Sequence, residues 1–416
     1  MPMPVSLGWN APPAHAVLDW QRRQEVFTRT GMMFLHLSLS IRAGSWTIMP
    51  TPALPTPGLD MADFAARILM RSESQRLVEA RTYSIGPNTT GLAVATVAGS
   101  APGEKISAAR PPSPTGLMIF ADPIGSDVTH HVTDQGTPFE IHTPIVAVSW
   151  SSWGPEQSQT LGGECPLTWI RRSQQHGLIP LSQDLAGIWM TFYSARTADT
   201  TGRTPSDVAA VDTYGNFISV HQSTQAEADL QRRHPDLHAP LTWHNELILP
   251  LGETFDQNPR PGTAQEWASI VYTTWQIMQQ SGSRRLVEVT RHTLPPAARK
   301  KAKAQAKQRG QQQVGDGVVH VVDLAAAQQP PKKNADRDAA ASDGHRKVAY
   351  SCRWPVPPHR RMTCLNPYLH HKLGDDEQLY HEHREDVMPF KIKGPADKPL
   401  KIKGGTTYSF DIDAVK

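Results

Sequence analysis

Cysteine is scarce in this chain of 416 residues: Cys165, Cys352 and Cys364 are the only three. So few thiols exclude the disulfide-stapled scaffolds on which small secreted domains depend. Long apolar runs are missing too. The most apolar stretch, Met32–Ile41, is far short of the ~20 residues a membrane span needs. Met1–Pro13 holds no Lys or Arg and no sustained apolar run, so no signal peptide is expected and a soluble cytoplasmic protein is. The short catalytic signatures are also absent. There is no phosphate-binding Gly-x-x-x-x-Gly-Lys-Ser/Thr loop, no dinucleotide fingerprint, no His-Glu-x-x-His and no Gly-x-Ser-x-Gly elbow. Their absence argues against nucleotide hydrolysis, dinucleotide redox chemistry and the common hydrolases. Nucleases stay open, because many of their sites have no short linear signature.

Lysine is nearly absent from the first two thirds. Lys105 is the only one before residue 284, and fourteen follow. Residues 1–283 carry 17 Lys and Arg against 24 Asp and Glu, a net −7, whereas 284–416 carry 25 against 15, a net +10. Such asymmetry marks segments with different partners. A basic end suits a polyanion, most often nucleic acid, and the acidic body offers a surface for a protein partner.

Helical spacing of Val17, Trp20, Gln24 and Phe27 is interrupted at Gly31, and the Pro-rich Pro50–Pro57 favours an extended connector. A second helix opens at Asp60, with Met61, Phe64, Ala65, Ile68, Leu69 and Leu77 on one face and Arg67, Arg71, Glu73, Gln75 and Arg76 mostly elsewhere. Thr89–Ala98 reads as a third helix. The period then becomes strand-like. Gly116–Phe120, Ile145–Trp150, Gly187–Tyr193, Phe217–Val220 and Leu247–Leu251 are short β-branched or aromatic runs bounded mostly by turn residues. Thr263-Ala-Gln-Glu266 is a capping box, followed by Trp267, Ile270, Val271, Thr274, Trp275 and Met278 on one face, with Gly282 placed to end the helix. Arg285–Arg291 alternates like a strand.

The expected fold is α+β: a mostly helical N-terminal region (1–110), a mixed or antiparallel sheet with the Trp267 helix covering it (111–295), a basic low-complexity linker holding a short strand at Val318–Leu324 (296–347), and a small β-rich Cys/His/Arg module (348–416). Strand candidates in that module are Val348–Trp354, Phe390–Lys393 and Tyr408–Ile412.

Chemistry-bearing residues concentrate near the C-terminus. Arg299–Arg309 has six cations and no acid. With Arg299, Lys300, Lys301 and Lys303 in this arm, and Arg353, Arg360 and Arg361 beyond it, the chain offers a nucleic-acid contact in which guanidinium forks meet phosphate oxygens. Trp354 and Tyr368 stand near the arginines for base stacking. A second reading is a zinc site from Cys352, Cys364, His371 (or His370) and His381 (or His383). Thiolate and imidazole are preferred zinc ligands, although the spacing of the two cysteines is not that of a usual zinc knuckle. A third is a metal-independent nuclease or toxin-like site in which His359, Arg360, Arg361 and Glu382 supply base, acid and phosphate stabilisation. The bland alternative is a structural or docking protein whose basic end only solubilises it. Elsewhere, Cys165 reads as a free thiol in a turn, His130-His131 as exposed, and Trp243-His-Asn-Glu246 as polar groups at a sheet edge.

Several segments together resemble a family of uncharacterised actinobacterial proteins found in plasmids, phages and integrated elements. They are Gly116–Ile124, Val148-Ser-Trp150, Gly187–Tyr193, Trp243–Glu246 and the Trp267 helix, with Arg337–Asp343, Cys352-Arg-Trp-Pro-Val356, Thr363-Cys-Leu-Asn-Pro367 and Ile392–Leu400 in the C-terminal part. The similarity runs from about residue 60 to the end. It implies a mobile-element context and transfers no activity. Family members can carry a further cysteine where this chain has Tyr380, which would alter any zinc site.

Overall fold

The computed structural model describes residues 5–6, 9–44, 46–54, 57–99, 102–132, 138–154, 166–173, 177–182, 184–195, 210–211, 217–218, 241–256, 259–280, 286–293, 300, 317–324, 354–356, 359–364, 383–388 and 391–393. It is an α+β fold built on one large mixed sheet. In chain order the first elements are β1 (Val5–Ser6), α1 (Ala14–Thr28), α2 (Gly31–Arg42), β2 (Ile48–Pro52), α3 (Met61–Glu79), β3 (Arg81–Ile85) and α4 (Pro87–Gly99). Then come β4 (Gly116–Phe120), β5 (Gly125–Val132), β6 (Pro138–Trp153), β7 (Leu167–Ser173), β8 (Gly177–Pro180), β9 (Gly187–Ala195), β10 (Ala210–Val211), β11 (Phe217–Ile218) and β12 (Leu241–Pro250). The last are α5 (Ala264–Met278), β13 (Val287–Thr293), β14 (Val318–Leu324), β15 (Trp354–Val356), β16 (His359–Cys364), β17 (His383–Met388) and β18 (Lys391–Lys393).

The main sheet runs β12-β9-β6-β4-β3-β14-β13, with β1 and β5 both paired to β6. Strands β4, β3 and β14 are parallel and the flanking pairs antiparallel. Helices cover both faces. Leu117 and Ile119 of β4 pack with α1, α2 and α3, while Met118 and Phe120 pack with α4 and α5. A strand buried on both sides reads as continuously apolar, which is why Gly116–Phe120 and Gly187–Tyr193 stand out in the sequence. The expected covering helix is therefore one of two on its face. On the α3 side a small sheet, β2-β7-β8, adds Ile48, Leu167 and Trp169 to the core.

Local chemistry sets the helix starts. The Asp60 carboxylate accepts from the amides of Ala62 and Asp63, both at 3.0 Å, and opens α3. Thr263 Oγ1 accepts from the Glu266 amide at 3.5 Å, but the Glu266 carboxylate reaches one residue further back, to the Gly262 amide at 2.7 Å. The box is thus displaced by one donor. Helix α5 also stops at Met278, four residues before Gly282, with Gln279 as its cap in ordinary right-handed backbone. Gly116 has a steric cause: a Cβ there would lie 2.1 Å from the Trp150 ring.

The strand Val318–Leu324 belongs to the main sheet. It is parallel to β3 on one side and antiparallel to β13 on the other. Beyond it, β15 pairs with β18 and β16 with β17, both antiparallel, and β15 lies against α4. The segments expected at Tyr408–Ile412 and over most of Val348–Trp354 lie outside the described residues.

Candidate functional site

Of the expected nucleic-acid contacts, Lys300 and Arg361 are exposed, and Arg360 belongs to β16. Arg299, Lys301, Lys303 and Arg353 lie outside the described residues, as do Cys352, His371 and His381 of the expected zinc set. Cys364 ends β16 directly opposite His383 of β17, and Arg361 stands opposite Asp386. Arg360 and Arg361 are consecutive strand positions, which alternate between the two faces of a hairpin. Among the described residues no group of three or more His, Cys, Asp or Glu is placed to hold a metal ion.

The register of β13 and β14 decides how the basic run is held. Thr293 and Val318 are directly opposite one another, with His292 opposite Val319 and Arg291 opposite His320. Residues 294–317, which contain Arg299–Arg309, therefore leave and re-enter the sheet at one point. The segment thus connects the ends of two neighbouring antiparallel strands of the body. Among the described residues β13 is the last strand on this side of the sheet. Arg81 begins β3, in the same row as Val318 and Thr293, since Thr82 pairs with Val319.

Several cations of the body are paired internally. Arg22 and Arg23 pair with Asp19, and Arg29 pairs with Glu25 at 2.8 Å. Arg42 pairs with Asp60 and Asp63 at 2.7 and 3.0 Å, and Arg110 with Glu104 at 2.5 Å. Arg81, Arg291 and Lys300 are exposed and make no ion pair among the described residues. Exposed cations with no ion pair among the described residues also occur elsewhere, at Lys105, Arg171 and Arg260.

A second concentration of charge lies in the interior, between α3 and the sheet, and the sequence reading places its helical members off the buried face. Glu73, Arg76, Ser149, Thr191, Tyr193 and Glu246 are all 4% exposed or less. Arg76 Nη2 sits 2.5 Å from Glu73 Oε2, 2.7 Å from Thr191 Oγ1 and 3.4 Å from Glu246 Oε1, while its guanidinium lies 4.0 Å from the Trp189 ring. Ser149 donates to Glu73 Oε1 at 2.6 Å, and the Tyr193 hydroxyl donates to the same oxygen. Burial pushes Glu246 up to about 8; Arg76 pulls it down and Glu73 adds to the rise. Tyr193 is held well above its ordinary value by burial first and then by Glu73.

At neutral pH Glu246 therefore keeps its proton. Thr191 Oγ1 is 3.1 Å from Glu246 and 3.3 Å from Glu73, and a hydroxyl has one proton and two lone pairs. It accepts from Arg76 and has a single proton to share between Glu73 and Glu246. One cation thus faces one net anion in a water-excluded layer, with no exposed atom set to act on a substrate. This cluster fastens α3 to the sheet.

A bulge in β12 makes it. Trp243 pairs with Tyr193 and Asn245 with Phe192, leaving His244 as the extra residue. The shift brings both Trp243 and Glu246 to the α3 face. His244 turns to the other face, 3.5 Å from Asp127 and beside Trp267, where burial lowers its pKa and Asp127 opposes the shift. A strict two-residue period conceals this arrangement. The signal available for Glu73 and Arg76 was their position: they continue the stripe Ala62, Ala65, Ala66 and Leu69 at helical spacing.

No protein-family model, no curated protein and no solved structure matches the chain.

Proposed function

We propose that this protein binds nucleic acid, with the cationic loop between β13 and β14 as its principal contact and the basic C-terminal module as a second. The observation that supports this reading is the pairing of Thr293 with Val318, which anchors both ends of residues 294–317, a segment of six cations and one acid, on neighbouring strands. A segment anchored at both ends loses less freedom on binding than a free tail, so more of each phosphate contact survives as affinity. The net −7 of residues 1–283 repels the polyanion elsewhere and confines it to this end. The acidic body then serves a protein partner, and the resemblance to mobile-element proteins supports a setting in the cytoplasm of a bacterial host.

The test replaces Arg299, Lys300, Lys301 and Lys303 with Gln in the full chain and measures binding to generic nucleic acid over a range of salt. Four lost phosphate contacts flatten the log–log salt slope by roughly 3–4 on a duplex. An unchanged slope in a folded variant overturns the proposal.

A further inference from the structure

The two edges of the main sheet are finished differently. At β12, His36 Nε2 lies 3.1 Å from the Trp243 carbonyl oxygen, and Thr47 Oγ1 donates to the Glu246 carbonyl at 2.6 Å. Side chains from α2 and from the residue before β2 thus occupy that edge, and the bulge at His244 breaks its regularity. Strand β13 shows no such device among the described residues. Its seven residues pair with β14 without a register shift and include no proline, glycine or lysine. From Glu288 to Thr293 the backbone meets no partner other than β14 among the described residues. We infer that this edge is a dimerisation surface, on which β13 of a second copy of the chain adds antiparallel and continues the sheet. Such a dimer needs no nucleic acid.

The occupant follows from the strand's own charges. A regular, unguarded edge is a template for another strand, and the side chains along it decide which one fits. Glu288 is the only acid in β13. Alternate positions share a face, so Glu288, Thr290 and His292 stand together and Arg291 belongs to the opposite face. In an antiparallel pair, directly opposed residues also share a face. A second β13 centred on Thr290 therefore sets Glu288 of each copy against His292 of the other, and Arg291 against Val289. An imidazole N–H can donate to a carboxylate whether or not the ring is charged. A parallel copy in register would instead bring like charges together, which destabilises the joint.

The strand is accessible where the pairing needs it. Glu288 and every residue from Thr290 to Thr293 are exposed, so neither face of that half of β13 is overlaid. The side chains of Glu288 and His292 have no hydrogen-bond or ion-pair partner among the described residues. On pairing, the outward amides and carbonyls of alternate residues gain partners, and the two-fold axis forms each contact twice. Only Val289 adds a half-buried apolar side chain to the joint. A contact of this size is well below a standard interface, so the dimer is a weak one, populated at high protein concentration.

The experiment is sedimentation velocity of the full-length protein, free of nucleic acid, over a range of concentrations. Glu288→Lys sets lysine against His292, and His292→Glu sets glutamate against Glu288. Each should weaken self-association about tenfold, since two cross-strand pairs change from attraction to repulsion. Glu253→Lys, the same charge change at an exposed position elsewhere, should leave it as in wild type. An equal mixture of the Glu288→Lys and His292→Glu proteins should associate more tightly than either alone, because each mixed pair opposes lysine to glutamate and Glu288 to His292. Melting temperatures equal to wild type show that the variants are folded. A wild type that stays monomeric at the highest concentration reached overturns the proposal. So does a mixture no tighter than its components, or self-association that neither variant alters, which assigns the dimer to another surface.

Discussion

Glu246→Gln should remove a specific part of the protein's pH-dependent stability. In the unfolded chain this carboxyl titrates near its ordinary value of 4.5, and in the folded protein burial pushes it up to about 8. Between those values the folded state holds a proton that the unfolded state has released, so stability falls as pH rises. The contribution is complete below pH 4.5 and is lost as pH climbs through 8. One bound proton corresponds to about 1.4 kcal/mol per pH unit. From pH 5.5 to 8 the wild type should lose about 3 kcal/mol from this group alone. Glutamine keeps the shape of the protonated acid and can donate to Thr191, but it does not titrate. Urea unfolding of both proteins at the two pH values gives a double difference in which any fixed cost of the amide cancels. The variant should be less sensitive to pH by about 2–3 kcal/mol. Parallel pH profiles for the two proteins would refute the reasoning, since Glu246 would then be ionised in the folded state.

Arg76→Ala should cost about 3–5 kcal/mol, because it leaves Glu73 charged and buried without its cation, whereas Arg76→Met/Glu73→Gln should recover most of the loss in the same urea assay. Thr263→Ala, which removes the oxygen that receives the Glu266 amide, should cost about 1 kcal/mol of thermal stability. Gly116→Ala drives a methyl group into the rigid Trp150 indole and should cost about 1–3 kcal/mol, with a change in tryptophan fluorescence that Gly154→Ala, at an open position, does not produce.

The regular elements were legible because their causes are local. Asp60 capping α3, the apolar stripe of α5 and the doubly buried Gly116–Phe120 each follow from a few neighbouring residues. What escaped was set by distant pairing. The stripe on α3 extends through Glu73 and Arg76, yet hydropathy alone assigns charged residues to solvent; only the arrival of Thr191 and Glu246 from β9 and β12 makes burial tolerable. Glu246 does stand on the edge strand β12, as expected, but the bulge at His244 has no signature in composition, so its burial against α3 was not visible. The basic run looked like a linker because nothing in Val318–Leu324 names its neighbours. Its pairing partners, β3 and β13, lie more than two hundred residues before it in one case and about thirty in the other.

The placement of β14 has a practical consequence for dissecting this molecule. The polypeptide contributes an interior strand of its largest sheet only after the cationic excursion has been completed. A protease that nicks the lysine-rich stretch should yield two fragments that stay associated and co-elute until denatured. Any shortened version ending at residue 299 discards an interior stave and leaves β3 and β13 with bare flanks, so its failure to bind would report collapse. Cuts intended to isolate the C-terminal module have to fall after Leu324.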